Sequence, residues 1–234
     1  MRSVVDLERG GRAATPTVIA DVLRRLILDG RFAAEQPLRQ DEIASHFGIS
    51  RIPVREAMRQ LAAEGLISLS ERRGARVAAL LPDEADELLE IRFTLEIRAM
   101  HLAMPHWRDA TFDEAAAMLD ESEAEACSID RWSDLNRMFH EHLYRGCARP
   151  KLLGLITTLN AQVERYIRLL VSQSDYRLQA QSEHRAILAS ARVRNGASLA
   201  ALIEQHAVQT GVVLRRFLLD RPPPVRGRRP ADPR

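Results

Sequence analysis

The chain has 234 residues, enough for two compact domains, and a hydrophobic content of 46% supplies a packed core in any globular arrangement. The formal net charge of +2 singles out no partner, and Lys151 is the sole lysine among 34 basic residues, a bias that codon usage in a GC-rich genome explains, so the placement of arginine is informative and its abundance is not. No stretch approaches the roughly 18 uninterrupted apolar residues of a membrane span, and Cys127 and Cys147 are too few for a disulfide framework and do not form a metal-type pair.

Met1–Ala14 has no apolar run and carries acids, so it reads as a loose arm rather than a signal peptide, and the chain reads as cytoplasmic. Residues 221–234 (RPPPVRGRRPADPR) read as a disordered basic tail. Between the arms, residues 15–80 hold short helices and a hairpin, and residues 81–220 hold long amphipathic helical patterns. Pro82 is expected to stop any element running through the junction.

Pro16 opens a first helix with Ile19, Val22, Leu23, Leu26 and Ile27 on one stripe, and Gly30 closes it. A second helix is expected over Gln40–Phe47, burying Ile43, Ala44 and Phe47 and ending at Gly48. Ser50 caps a third over Arg51–Glu64, with Val54, Ala57, Met58 and Leu61 inward. Arg51, Arg55 and Arg59 fall at i, i+4 and i+8 on its other face. Two short helices joined by a glycine turn match a helix-turn-helix, whose second helix enters the major groove. There, arginine can clamp a phosphate or take guanine O6 and N7 together. A solvated arginine face would show the same spacing. The following strands, Leu66–Leu69 and Ala75–Ala78, decide between the two, because the Ser70–Gly74 turn joins them into the basic wing of a winged helix.

The run Phe47-Gly48-Ile49-Ser50-Arg51-Ile52-Pro53-Val54-Arg55-Glu56-Ala57, then Leu61–Ile67 and Arg72-Arg73-Gly74-Ala75, resembles the GntR family of bacterial regulators. The resemblance implies that Arg51 and Arg55 contact operator DNA, with Ser50 on a phosphate and Gly74 letting the wing tip approach closely. Arg59, Arg72 and Arg73 join that surface. Ile52 stands where many members have threonine, and Asp41 where many have arginine, a loss for which Arg39 compensates.

Beyond Pro82, helices are drafted at about 83–104, 111–127, 130–146, 150–172, 175–194 and 196–220, with Thr111 and Glu114 as a capping box. Short loops make an all-helical antiparallel bundle. Of seven histidines, His46, His101, His106 and His142 are placed on surfaces. Asn136 and His140 share a helix face at i, i+4, and His184 and His206 lie on the last two helices among apolar neighbours. Three inward histidines can hold a metal or can be satisfied core groups; their spacing leaves both open.

An all-helical domain behind such a reader resembles the FadR subfamily, whose C-terminal part is the FCD domain. The resemblance implies a divalent metal (zinc, nickel or manganese) held by Asn136, His140, His184 and His206, with Asn136 standing where aspartate is usual. It also implies a homodimer and a small carboxylate or sugar-acid effector, paired by Arg92 and with Arg165 and Tyr166 lining the same pocket. Neutral imidazoles and an amide leave the metal's charge uncompensated, which favours an anionic ligand. The expectation is a mostly α protein, a winged helix-turn-helix plus a helical bundle, acting as a ligand-responsive repressor with no catalysis. A purely structural or absent metal is one alternative. A metal-dependent hydrolase is another, against which no glutamate base is found near the histidines.

Overall fold

The computed structural model describes residues 15–70, 74–172 and 174–220, the side chain of Ser174 excepted. The expected arm, the expected tail and the wing residues Arg72 and Arg73 lie outside the described residues.

Helix α1 (Pro16–Leu28) starts where the Thr15 hydroxyl accepts the Val18 amide, with Pro16 in the first turn, where a missing N–H costs nothing. Its stripe Ile19, Val22, Leu23, Leu26 and Ile27 is buried, as the 3.6-residue period demands. Helix α2 (Gln40–Phe47) ends on Gly48 at φ +66°, a left-handed cap that lets the chain turn sharply into α3 (Arg51–Ala63). Ala44 is buried on α2, whereas Ile43 and Phe47 are half-buried against the same core. Val54, Ala57, Met58 and Leu61 of α3 are fully buried, and α3 packs against α1.

Three short strands, β1 (Pro37–Leu38), β2 (Ile67–Ser70) and β3 (Gly74–Val77), form an antiparallel sheet in the order β1-β3-β2. Ile67 faces Val77 and Ser70 faces Gly74. Both wing strands lie one residue away from their drafted places. The Leu66 side chain turns into the core while its carbonyl accepts the Ala78 amide at 3.0 Å just before β2, and Gly74, at φ +71°, starts β3. The sequence reading missed β1, because two residues that include a proline carry no alternation.

The bundle comprises α4 (Pro82–Ala103), α5 (Asp109–Glu123), α6 (Ile129–Tyr144), α7 (Pro150–Val171), α8 (Ser174–Arg192) and α9 (Gly196–Leu219), with 3-10 turns at Met104–His106 and Arg145–Cys147. No described element runs through Pro82; it opens α4, with Leu81 as the cap residue, because the first turn is where proline fits a helix. The Thr111–Glu114 box is also corrected. Helix α5 begins earlier, and the Thr111 hydroxyl accepts the Arg108 amide at 3.1 Å from inside the first turn.

Helix α4 runs through the middle and packs against α6, α7 and α9. Residues between Ile19 and Val77 make one apolar cluster, and residues between Ala85 and Leu214 make another. Cys127 and Cys147 are unpaired thiols. No helix among the described residues is long and apolar enough to cross a membrane.

Candidate nucleic-acid interface and metal centre

Burying Val54, Ala57, Met58 and Leu61 turns the opposite face of α3 outward. Arg51, Arg55 and Arg59 are exposed along that face, three turns in line. Arg51 ion-pairs with Asp41 of α2, and Arg39 reaches Glu42 at 3.2 Å. Arg55 and Arg59 have no ion pair among the described residues, so their guanidinium groups stand open to an anion. Ser50 sits at the N-cap position, exposed, and its hydroxyl makes no capping hydrogen bond. Ile52 is 60% exposed on the same end of α3, an apolar group where a groove-facing contact would fall.

In the bundle, α6, α8 and α9 bring His140, His184 and His206 together, all buried, with one ligand atom of each within 4.8 Å of the others. The Nε2 atoms of His140 and His184 are 3.2 Å apart. Nitrogens about 2.0–2.1 Å from a tetrahedral ion stand roughly that far from one another. The far sides of two rings are held by carboxylates. Glu183 Oε2 accepts from His206 Nδ1 at 2.6 Å, and Glu96 Oε2 lies 3.4 Å from His140 Nδ1. A proton fixed on Nδ1 leaves the Nε2 lone pair free to ligate, the usual arrangement of a histidine behind a metal. Asn136 is buried on the face of α6 that carries His140, and its Oδ1 has no hydrogen-bond partner. Three convergent lone pairs and an orphaned amide oxygen fit a divalent cation of the zinc type.

Electrostatics agree with ligation. Burial pushes the His184 pKa well below its ordinary value, with the two other imidazoles and Arg92 adding to it. Burial likewise lowers His140, against the opposing pull of Glu96. Both rings are thereby held neutral, the form that binds metal. Burial alone would raise Glu96, but Arg92 and His140 outweigh it and keep the carboxyl below the usual range.

Glu96 is the residue that sequence reasoning missed. It is 0% exposed, one helical turn beyond Arg92, and its Oε1 lies 3.1 Å from Arg92 Nε. Together with Glu183 it overturns the expectation that no glutamate stands near the histidines, and it offsets part, not all, of the charge that a divalent metal would bring there. The i, i+4 spacing of Arg92 and Glu96 was visible, but an ion pair on a helix normally faces water. Only the central position of α4 turns this one inward.

Arg92 does lie beside the histidines. With Asn136, His140, Asn160, Val163, Glu164 and Ile167 it lines a cavity of about 10 Å³, room for one water-sized group. Arg165 and Tyr166 do not line that cavity. On α7 the positions facing it are Asn160, Val163, Glu164 and Ile167, and at about 100° per residue 165 and 166 point elsewhere. Arg165 donates to the Ala78 carbonyl at 2.9 Å. The Tyr166 hydroxyl donates to Glu84 at 3.2 Å and accepts from the Leu81 amide at 3.3 Å. Both side chains therefore grip the segment that connects the two apolar clusters. His142 is also corrected: it is buried and donates to the Thr111 carbonyl at 2.9 Å. His101 is half-buried against the Gly196 carbonyl at 3.0 Å, and His46 and His106 are exposed.

Comparisons with known proteins agree with this division. Residues 16–77 match the profile of bacterial regulatory proteins of the gntR family, and residues 87–209 match the FCD domain. The gluconate operon transcriptional repressor of Bacillus licheniformis is 30% identical over 164 residues, covering 68% of this chain and 65% of its own. The transcriptional repressor GlaR of Escherichia coli is 26% identical over 197 residues, covering 79% and 88%. Among solved structures, E. coli McbR/YncC superposes with a TM-score of 0.72 over 88% of this chain and 98% of its own, at 20% identity, a likeness of fold.

Proposed function

The chain belongs to the GntR family of DNA-binding transcription regulators and carries an FCD domain, and on that premise we propose that it is a homodimeric repressor of the FadR type whose hold on operator DNA is set by a divalent metal and a small carboxylate in the bundle. The observation that carries this reading is the convergence of three buried imidazoles beside the orphaned amide oxygen of Asn136. The reader is the arginine face of α3, with Arg55 and Arg59 unpaired among the described residues and Arg51 and Arg39 braced by acids on α2, joined by Ser50 at the N-cap of α3 and Gly74 at the start of β3. Arg72 and Arg73, which lie outside the described residues, are proposed to add their charges to DNA binding. A two-fold dimer matches the two-fold symmetry of the half-sites such readers bind.

His140, His184, His206 and Asn136 would hold a divalent cation, which would supply a positive charge that attracts an anionic ligand. Glu96 and Glu183 against Arg92 leave one negative charge around the imidazoles, so a divalent ion there keeps an excess positive charge for a carboxylate. A sugar acid is favoured by the gluconate repressor among the relatives.

Helix α7 is the element that links this centre to the reader. One face lines the cavity beside His140 through Asn160, Val163, Glu164 and Ile167. Its other face holds the Ala78 carbonyl through Arg165 and Leu81 and Glu84 through Tyr166, while Arg168, bonded to the cavity-lining Glu164 at 2.9 Å, reaches Asp29 after α1 at 3.2 Å. A ligand larger than water must open that cavity, and the helix that yields carries the contacts to the reader. Coupling of about 1–3 kcal/mol, a 5–150-fold change in operator affinity, is typical.

The small cavity favours one second reading, a structural metal without an effector. A panel of small carboxylates and sugar acids, each with and without added zinc, nickel or manganese, separates the two. The proposal expects a carboxylate that raises the melting temperature only with metal present and that changes retention of the chain's own upstream DNA at least about fivefold. Chelation that lowers melting temperature while no carboxylate changes DNA retention decides for the structural metal.

A further inference from the structure

A second cavity, of about 600 Å³, opens between the reader and the bundle, within the size range of small-molecule pockets. Ile27, Leu28 and Phe32 wall it from the reader side, Leu80 from the connecting segment, and Leu169 and Leu218 from α7 and α9. The one polar side chain deep in this apolar wall is Arg165, which is 7% exposed. Glu35 stands exposed at the rim.

A buried guanidinium is normally matched by a carboxylate, because an unmatched charge away from water is costly. Among the described residues Arg165 has no ion pair. One of its five N–H donors is spent on the Ala78 carbonyl at 2.9 Å. The acid it feels, Glu84, is engaged by the Tyr166 hydroxyl at 3.2 Å and not by the guanidinium. The other donors have no hydrogen-bond partner among the described residues, and none of those nitrogens is sealed from space, since Arg165 is itself part of the cavity lining. A planar fork of donors at the end of an apolar chamber is complementary to a carboxylate carrying an apolar body.

We infer that this chamber is a binding site for an apolar carboxylate, separate from the histidine centre, with Arg165 clamping the carboxylate and the aliphatic walls of both domains enclosing the rest. Its ligand touches α1, the connecting segment, α7 and α9 at once, so occupancy fixes how the reader is held against the bundle. The Ala78 bond of Arg165 and the carboxylate share one guanidinium, which ties the ligand directly to the segment between the domains.

Calorimetric titration of the full chain with octanoate, and with 1-octanol as the uncharged control, tests this. Octanoate is expected to bind at least about tenfold more tightly than 1-octanol, because a hydrogen bond to a charged group is worth that much. Arg165→Gln should remove that preference while leaving 1-octanol binding in place. Ala34→Trp keeps the arginine and fills the chamber from the reader side, so it should abolish binding of both. No octanoate binding to the full chain overturns the inference, as does an affinity that neither substitution changes.

Discussion

Arg55 and Arg59 of α3 are exposed on a single helix, whereas Arg92 and Glu96 of α4 face each other, buried beside the histidines. The contrast separates two ways of placing charge. An exposed arginine costs the fold almost nothing, so the reader is free to carry groups whose only partner is external DNA. A buried charge must be answered inside the molecule, so the centre of the bundle comes as a set: Arg92 with Glu96, Glu96 with His140, Glu183 with His206. Substitution in the first region should therefore alter binding and spare stability. Substitution in the second should alter both.

The largest effect expected is at Glu96. Glu96→Gln leaves the Arg92 guanidinium buried without an anion, and denaturant unfolding should show a loss of about 3–5 kcal/mol. A loss below about 1 kcal/mol would break the comparison, since the pair would then be no more costly to sever than a surface one. Next is the reader. Arg55→Ala should cost about 1–3 kcal/mol of operator affinity by gel shift, while unfolding stability stays within about 0.5 kcal/mol of the parent. Unchanged retention of the operator would remove Arg55 from the interface. The smallest effect sharpens the account of Ser50. Its hydroxyl makes no capping hydrogen bond, so Ser50→Ala should leave unfolding free energy unchanged within about 0.5 kcal/mol and should weaken DNA binding by about 1 kcal/mol through a lost phosphate contact. A stability loss with intact DNA binding would make Ser50 a cap after all.

The same contrast governs what the sequence disclosed. The α3 face follows from one helix and its period, and Arg51, Arg55 and Arg59 come out where the spacing puts them. His140, His184 and His206 could be nominated, because each sits among apolar neighbours on its own helix, but nothing in the linear order says that three helices bring a ring nitrogen of each within 4.8 Å of the others. Glu96 and Glu183 were invisible for the same reason. Each looks like a surface helix acid until the packing around α4, α8 and α9 is known. Arg165 and Tyr166 were placed in the wrong cavity because their proximity to Val163 and Glu164 in sequence hides a half-turn of α7. Element ends moved where the backbone had two ways to finish, as at Pro82 and Thr111, and β1 is too short for any periodicity.

The central claim is that the imidazoles of α6, α8 and α9 form a metal centre within a DNA-binding regulator. Elemental analysis of the full chain after equilibration with zinc and exhaustive dialysis measures it most directly, with the His184→Ala chain alongside. The account predicts about one tightly held ion per parent chain and none in His184→Ala. A parent chain that retains no ion, or a His184→Ala chain that retains as much as the parent, would contradict it.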